Sequence, residues 1–102
     1  MKGNFIKNVY SSYSKKCESI KSTPINYKEF LKVHFIAQRN IRSLKESSID
    51  VKKPFIAMRI DDNFIYYSEI NKDKLVINIW SYDQYEILLG RKVDDRPNKS
   101  NI

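Results

Sequence analysis

The chain has 102 residues, 41% apolar and 13% aromatic, and carries a net charge of +7. That length makes one domain with a single core, and the apolar content is enough to fold it. No apolar run nears the roughly 20 residues of a membrane span, and Lys7, Asn8, Ser11 and Ser12 interrupt the N-terminus before a signal-peptide stretch can form. The lone Cys17 leaves no internal disulfide, so the expected location is cytoplasmic.

The charge is unevenly spread. Residues 1–47 carry ten Lys and Arg against three acids, while residues 48–102 carry nine of each and balance. A molecule polarised in this way favours a polyanionic partner, either nucleic acid or a nucleoprotein, or alternatively an acidic protein surface. The abundance of Lys, Ile, Asn, Ser and Tyr fits an AT-rich genome, and with the small size it suggests a phage or mobile-element regulatory or accessory protein.

In chain order, Phe5 or Ile6, Val9 or Tyr10, Tyr13, Cys17 and Ile20 recur every three or four residues. They predict an amphipathic helix over residues 4–20 that Thr23-Pro24 ends. A second helix starts where Asn26 can cap it, with Glu29 reaching back to the cap amide and Ile25 stapled onto Phe30. It should run to about Ser47, before Ser48-Ile49-Asp50 and Pro54 break the pattern. At about 100° per residue, Phe30, His34, Ala37, Ile41 and Leu44 share one face, flanked by Tyr27 and Val33, which should be buried. Lys28, Lys32, Arg39 and Arg42 line the opposite side, with Phe35 among them.

The rest reads as strands at Pro54–Ile60, Phe64–Ile70 and Leu75–Trp80, rich in β-branched and aromatic residues. The first loop is Asp61-Asp62-Asn63, with Asn63 suited to a left-handed backbone, and the second is the four residues Asn71–Lys74. Those lengths put Ile56, Met58, Ile60, Phe64, Tyr66, Ile70, Leu75, Ile77 and Ile79 on the face toward the second helix. Phe55, Arg59, Ile65, Tyr67, Val76, Asn78 and Trp80 take the other face, and a one-residue slip would swap the assignment for a strand. Ser81 and Gln84 form a capping box for a short helix through Leu89 that Gly90 ends, with an edge strand over Tyr85–Leu89 as the competing reading. The expected fold class is α+β: two N-terminal helices packed on a three-stranded antiparallel β-meander, with a short C-terminal helix. Residues 1–92 form a single domain and 93–102 a flexible C-terminal tail.

Four cations on one helical face can each neutralise a phosphate and so make binding salt-dependent. Lys28, Lys32, Arg39 and Arg42 are therefore the expected nucleic-acid contacts, with Phe35 and Arg59 as secondary ones. Phe55, Arg59, Tyr67 and Trp80 form either a stacking platform for single-stranded bases or a second core layer under a terminal helix. His34, the only histidine, falls on the apolar face and reads as a core residue. Asp61, Asp62 and Glu69, with Lys72, are badly spaced for a metal and read as turn and surface residues. Two glycines, one cysteine and one histidine leave no phosphate loop, no zinc site and no cofactor fingerprint. The expectation is a non-catalytic binding module with no metal and no cofactor.

The order of elements over Tyr27–Leu89 resembles RelE-type ribosome-dependent RNases, with Met58-Arg59-Ile60 and Ile77-Asn78-Ile79-Trp80 as the strand pair. That resemblance implies an α+β RNase toxin that needs no metal and works with basic and phenolic side chains. Here those would be Arg59 and Tyr66 or Tyr67. The chain departs from the family pattern where Asn63-Phe64-Ile65 stands in place of a second-strand arginine, and no basic residue follows the third strand until Arg91. A further alternative is a phage-type inhibitor of a host or defence protein, such as a nuclease complex, docking in an acidic groove.

Overall fold

The computed structural model describes residues 2–47 and 54–93. Its elements are α1 (Lys2–Ser19), α2 (Tyr27–Ser47), β1 (Phe55–Arg59), β2 (Phe64–Asn71), β3 (Lys74–Ser81) and α3 (Tyr82–Leu89). The strands form one antiparallel sheet in the order β1-β2-β3, so the α+β meander expected from the sequence is the fold observed. The segment Ser48–Asp50 expected to stop the second helix, and the expected tail from residue 94 onward, lie outside the described residues.

Local chemistry sets each boundary. The turn after α1 places Lys21 in the left-handed region at φ 58°, with its amide donating to the Glu18 carbonyl and the Ser22 amide donating to the Cys17 carbonyl. This is the closure that glycine usually provides. At the start of α2, the Asn26 side chain accepts from the Glu29 amide at 2.8 Å, as the capping pattern requires. The Glu29 carboxylate does not return to the cap; it pairs with Lys32 at 3.3 Å. For α3 the capping box is complete, with Ser81 and Gln84 bonded reciprocally, and Gly90 ends the helix at φ 76°. The competing strand over Tyr85–Leu89 is not formed.

Both hairpins keep the expected register by turns of different construction. The Ile60 amide donates to the Phe64 carbonyl at 3.0 Å, closing a three-residue loop. Asn63 is not left-handed there, contrary to expectation. Asp61 Oδ1 instead accepts from the amides of Asn63 (2.8 Å) and Phe64 (2.9 Å), a side-chain-built turn that needs no positive φ. The second ladder continues to Asn71 opposite Lys74, so the loop is two residues rather than four. Lys72 (φ 52°) and Asp73 (φ 66°) occupy both left-handed positions, the geometry whose twist matches the strands. Shortening the loop by two residues preserves the face of every side chain.

The register puts Met58 opposite Tyr66 and Tyr66 opposite Ile79, on the face that α1 and α2 cover. The main core lies there: Ile6, Tyr13 and Cys17 from α1, Phe30 and Ala37 from α2, and Ile60, Phe64, Tyr66 and Ile79 from the sheet. Aromatic rings fill the seam between helices and sheet. Phe30 stacks on Tyr13 at 5.5 Å and meets the edges of Tyr10 and Tyr66, contacts worth about 0.5–1.5 kcal/mol each beyond burial. On the opposite face Tyr67 packs between Phe55 and Trp80 and beneath Tyr85 of α3, so Ile65 and Tyr67 are buried. That face is a second, smaller core layer. No helix of the described residues is long and apolar enough to cross a membrane.

Candidate nucleic-acid interface

Helix α2 divides its polar residues sharply by direction. Lys28, Lys32, Phe35, Arg39 and Arg42 are all exposed and follow one another at intervals of four and three residues, one stripe along the helix. From Lys28 to Arg42 the stripe runs about 21 Å at 1.5 Å per residue. A nucleic-acid strand presents a phosphate about every 3.4 Å of axis, so the four cations can engage separate phosphates. Phe35, 62% exposed, sits mid-stripe, and Ile36 beside it is also exposed. Burial alone gives no reason for a phenyl ring at that position.

The cations are largely uncompensated. Lys32 pairs with Glu29, but both side chains are mostly exposed, and such a pair is worth at most about 1 kcal/mol. Arg42 donates through Nε to the Gln38 carbonyl at 3.3 Å, a bond within its own helix. Among the described residues, Lys28, Arg39 and Arg42 have no carboxylate partner. Lys45, one turn beyond the stripe, reaches Asp73 in the second hairpin at 3.3 Å.

The inward side of α2 carries a different polar set. His34 Nδ1 lies 2.6 Å from the Tyr66 hydroxyl, and the Gln38 amide donates to that hydroxyl and to Ser68 Oγ, both at 3.2 Å. Burial holds the His34 pKa below its ordinary value and pushes the Tyr66 phenol up to about 12. Both groups are therefore neutral near pH 7. The hydroxyl accepts from Gln38 and shares a second hydrogen bond with Nδ1 of the neutral imidazole, whose tautomer sets which of the two donates. This strip joins helix to sheet, and Tyr66, fully buried within it, has no access to an RNA strand.

Asp61 also holds the fold together. Besides the two turn amides, its carboxylate accepts from the Tyr13 hydroxyl at 2.5 Å, and the Cys17 thiol lies 4.0 Å away. Tyr13 in turn accepts from the Ile25 amide at 3.0 Å, tying α1, the segment before α2 and the first hairpin into one clasp. Burial, reinforced by the Asp61 bond, raises the Tyr13 pKa well above the usual phenol range, and burial raises the Cys17 thiol. Glu69 projects from the opposite sheet face and accepts from Tyr67 at 2.9 Å. Burial, with Glu69 beside it, pushes Tyr67 up to about 12, and the residue is only 7% exposed. Among the described residues, no three His, Cys, Asp or Glu side chains come together as a metal site would require.

Arg59 does not join the stripe. It ends β1 opposite Ile65, on the sheet face turned away from α2. There it lines a cleft of about 350 Å³ together with Arg91, which the sequence marks only as the first basic residue after the third strand. Nothing in the local pattern could have joined them, because only the packing of α3 across the sheet brings residues 59 and 91 to one place.

No protein family, curated protein or solved structure matches this chain. Any function has to be argued from the chemistry of its own surfaces.

Proposed function

We propose that this chain is a small non-catalytic binding module that grips nucleic acid through the outer face of α2. Lys28, Lys32, Arg39 and Arg42 contact successive phosphates, and Phe35 packs against a base or sugar between them. The observation that carries this reading is a 21 Å row of cations (about 1.5 Å per residue), three without an acidic partner among the described residues, with an exposed ring at its centre. A merely solubilising face would mix signs and would have no use for the phenyl group. Regulatory or accessory work in a phage or mobile element would suit a module of this size and charge.

The phenols an RNase reading would use give it no support, since Tyr66 is enclosed and Tyr67 is nearly so. The test is fluorescence anisotropy with labelled single-stranded and duplex oligonucleotides between 50 and 300 mM salt, concentrations chosen about the range where counterion release dominates. Four phosphate contacts give a log–log salt slope of about −3 on single strands. Lys28→Gln, Arg39→Gln and Arg42→Gln should each flatten that slope by nearly one contact, and Phe35→Ala should weaken binding without changing it. Tight, salt-sensitive capture of one acidic protein, with no affinity for either oligonucleotide, would replace this reading with that of an inhibitor.

A further inference from the structure

The cleft at Arg59 is separate from the α2 stripe and has the makings of a small-ligand site. Its walls come from the end of β1, from the first residues of β2, from α3 and from the segment after it. Arg59 and Arg91 both line it, both are exposed, and neither has a carboxylate partner among the described residues. Tyr82 and Tyr85 of α3 face the same space, and Ala57, Ile65 and Leu89 contribute apolar surface. At about 350 Å³ the cleft is at the small end of the range for ligand sites.

Two like charges converging on one concavity repel each other unless something negative lies between them. Guanidinium forks match the oxygens of a phosphate better than any other side chain does. An apolar and phenolic wall beside them suits the body of a ligand rather than a bare inorganic ion. Glu86, on the same helix as Tyr82 and Tyr85, accepts from the Val93 amide at 2.9 Å. That bond folds the segment after α3 back so that Val93 lines the cleft with Arg91. Arg91 also acts on Tyr85, which lines the same cleft: burial raises that phenol while the guanidinium charge partly offsets the rise.

We propose that the cleft between β1 and α3 binds a phosphomonoester of mononucleotide size. Arg59 and Arg91 hold the phosphate from two sides, and the base or sugar lies against Tyr85, Leu89 and Ile65. The ligand is either a free nucleotide or the terminal phosphate of an oligonucleotide, because the two present the same dianion. The site does not depend on the α2 reading, since the two surfaces share no residue.

The experiment is an NMR titration of the whole chain with adenosine 5′-monophosphate, with adenosine and inorganic phosphate as controls. Saturable shifts of the Tyr82 and Tyr85 ring signals and the Arg59 and Arg91 side-chain signals are expected, with adenosine at least about tenfold weaker, as loss of one charge-assisted contact implies. Arg59→Gln and Arg91→Gln should each lose about tenfold or more, while Lys15→Gln, at an exposed cation of α1, leaves the titration unchanged. A 5′-phosphorylated trinucleotide that outbinds its unphosphorylated form in an Arg59-dependent manner identifies the strand terminus as the source. Binding of the free nucleotide without that preference identifies the small molecule. Equal binding of adenosine and its monophosphate, shifts confined to α2, or indifference to both arginine variants would overturn the proposal. Thermal melts of the two variants should match the parent, as expected for exposed side chains.

Discussion

The two faces of the sheet treat polar chemistry in opposite ways. Beneath α1 and α2, the buried polar groups have internal partners: Tyr13 with Asp61, His34 and Gln38 with Tyr66, and Gln38 with Ser68. Beneath α3, a helix of eight residues, Arg59 and Arg91 line a cleft and have no acidic partner among the described residues. Helix α2 repeats the contrast within one element, since its inner polar residues are bonded to the sheet while Lys28, Arg39 and Arg42 on its outer face have no acidic partner among the described residues. Groups already satisfied inside the fold contribute to stability, and exposed charges left unsatisfied are available to a partner.

The contrast makes predictions of graded size. Asp61→Ala should have the largest effect. It strands the Tyr13 hydroxyl and two turn amides, and a loss of about 3 kcal/mol is expected in urea unfolding. A loss below about 1 kcal/mol would mean the clasp is ornamental. Tyr66→Phe should cost about 1–2 kcal/mol, because it takes away the hydroxyl that both His34 and Gln38 bond.

A smaller effect follows from His34. Burial depresses its pKa in the folded state, so between that value and the unfolded value near 6.5 the unfolded chain binds more protons. Its contribution to stability is complete above about pH 6.5 and is lost as the pH falls below it. Urea unfolding at pH 7.5 and 5.5 should show that decline, and His34→Leu should flatten it. The smallest change is expected on the other face. Arg59→Gln and Arg91→Gln should each alter stability by no more than about 0.5 kcal/mol, and a larger loss would mean the arginines hold the fold and are not free for a ligand.

Most of the fold was legible because its signals are local. The Asn26 cap, the Ser81–Gln84 box and the alternation from Ile56 to Ile79 are each written within a few residues and survive in the structure. What was not legible depends on contacts distant in sequence or on strained backbone. Asp61 reads as an ordinary turn residue until Tyr13, 48 positions earlier, is brought against it. Lys21, Lys72 and Asp73 occupy left-handed positions where the sequence offers neither glycine nor asparagine. Replacing Lys72-Asp73 with Asn-Gly should therefore stabilise the chain by about 1 kcal/mol. For the candidate site the division is the same. The α2 stripe is a periodicity of one helix and could be read directly, whereas the partnership of Arg59 with Arg91 exists only in three dimensions.

The most direct test of the central claim, that the outer face of α2 is the nucleic-acid surface, is amide chemical-shift mapping with a short unphosphorylated oligonucleotide at low salt. The account predicts that the perturbed residues lie along Lys28, Lys32, Phe35, Arg39 and Arg42 and that the shifts fade as salt is raised. Perturbations spread over α1 and α3 with that stripe silent, or shifts insensitive to salt, would contradict it.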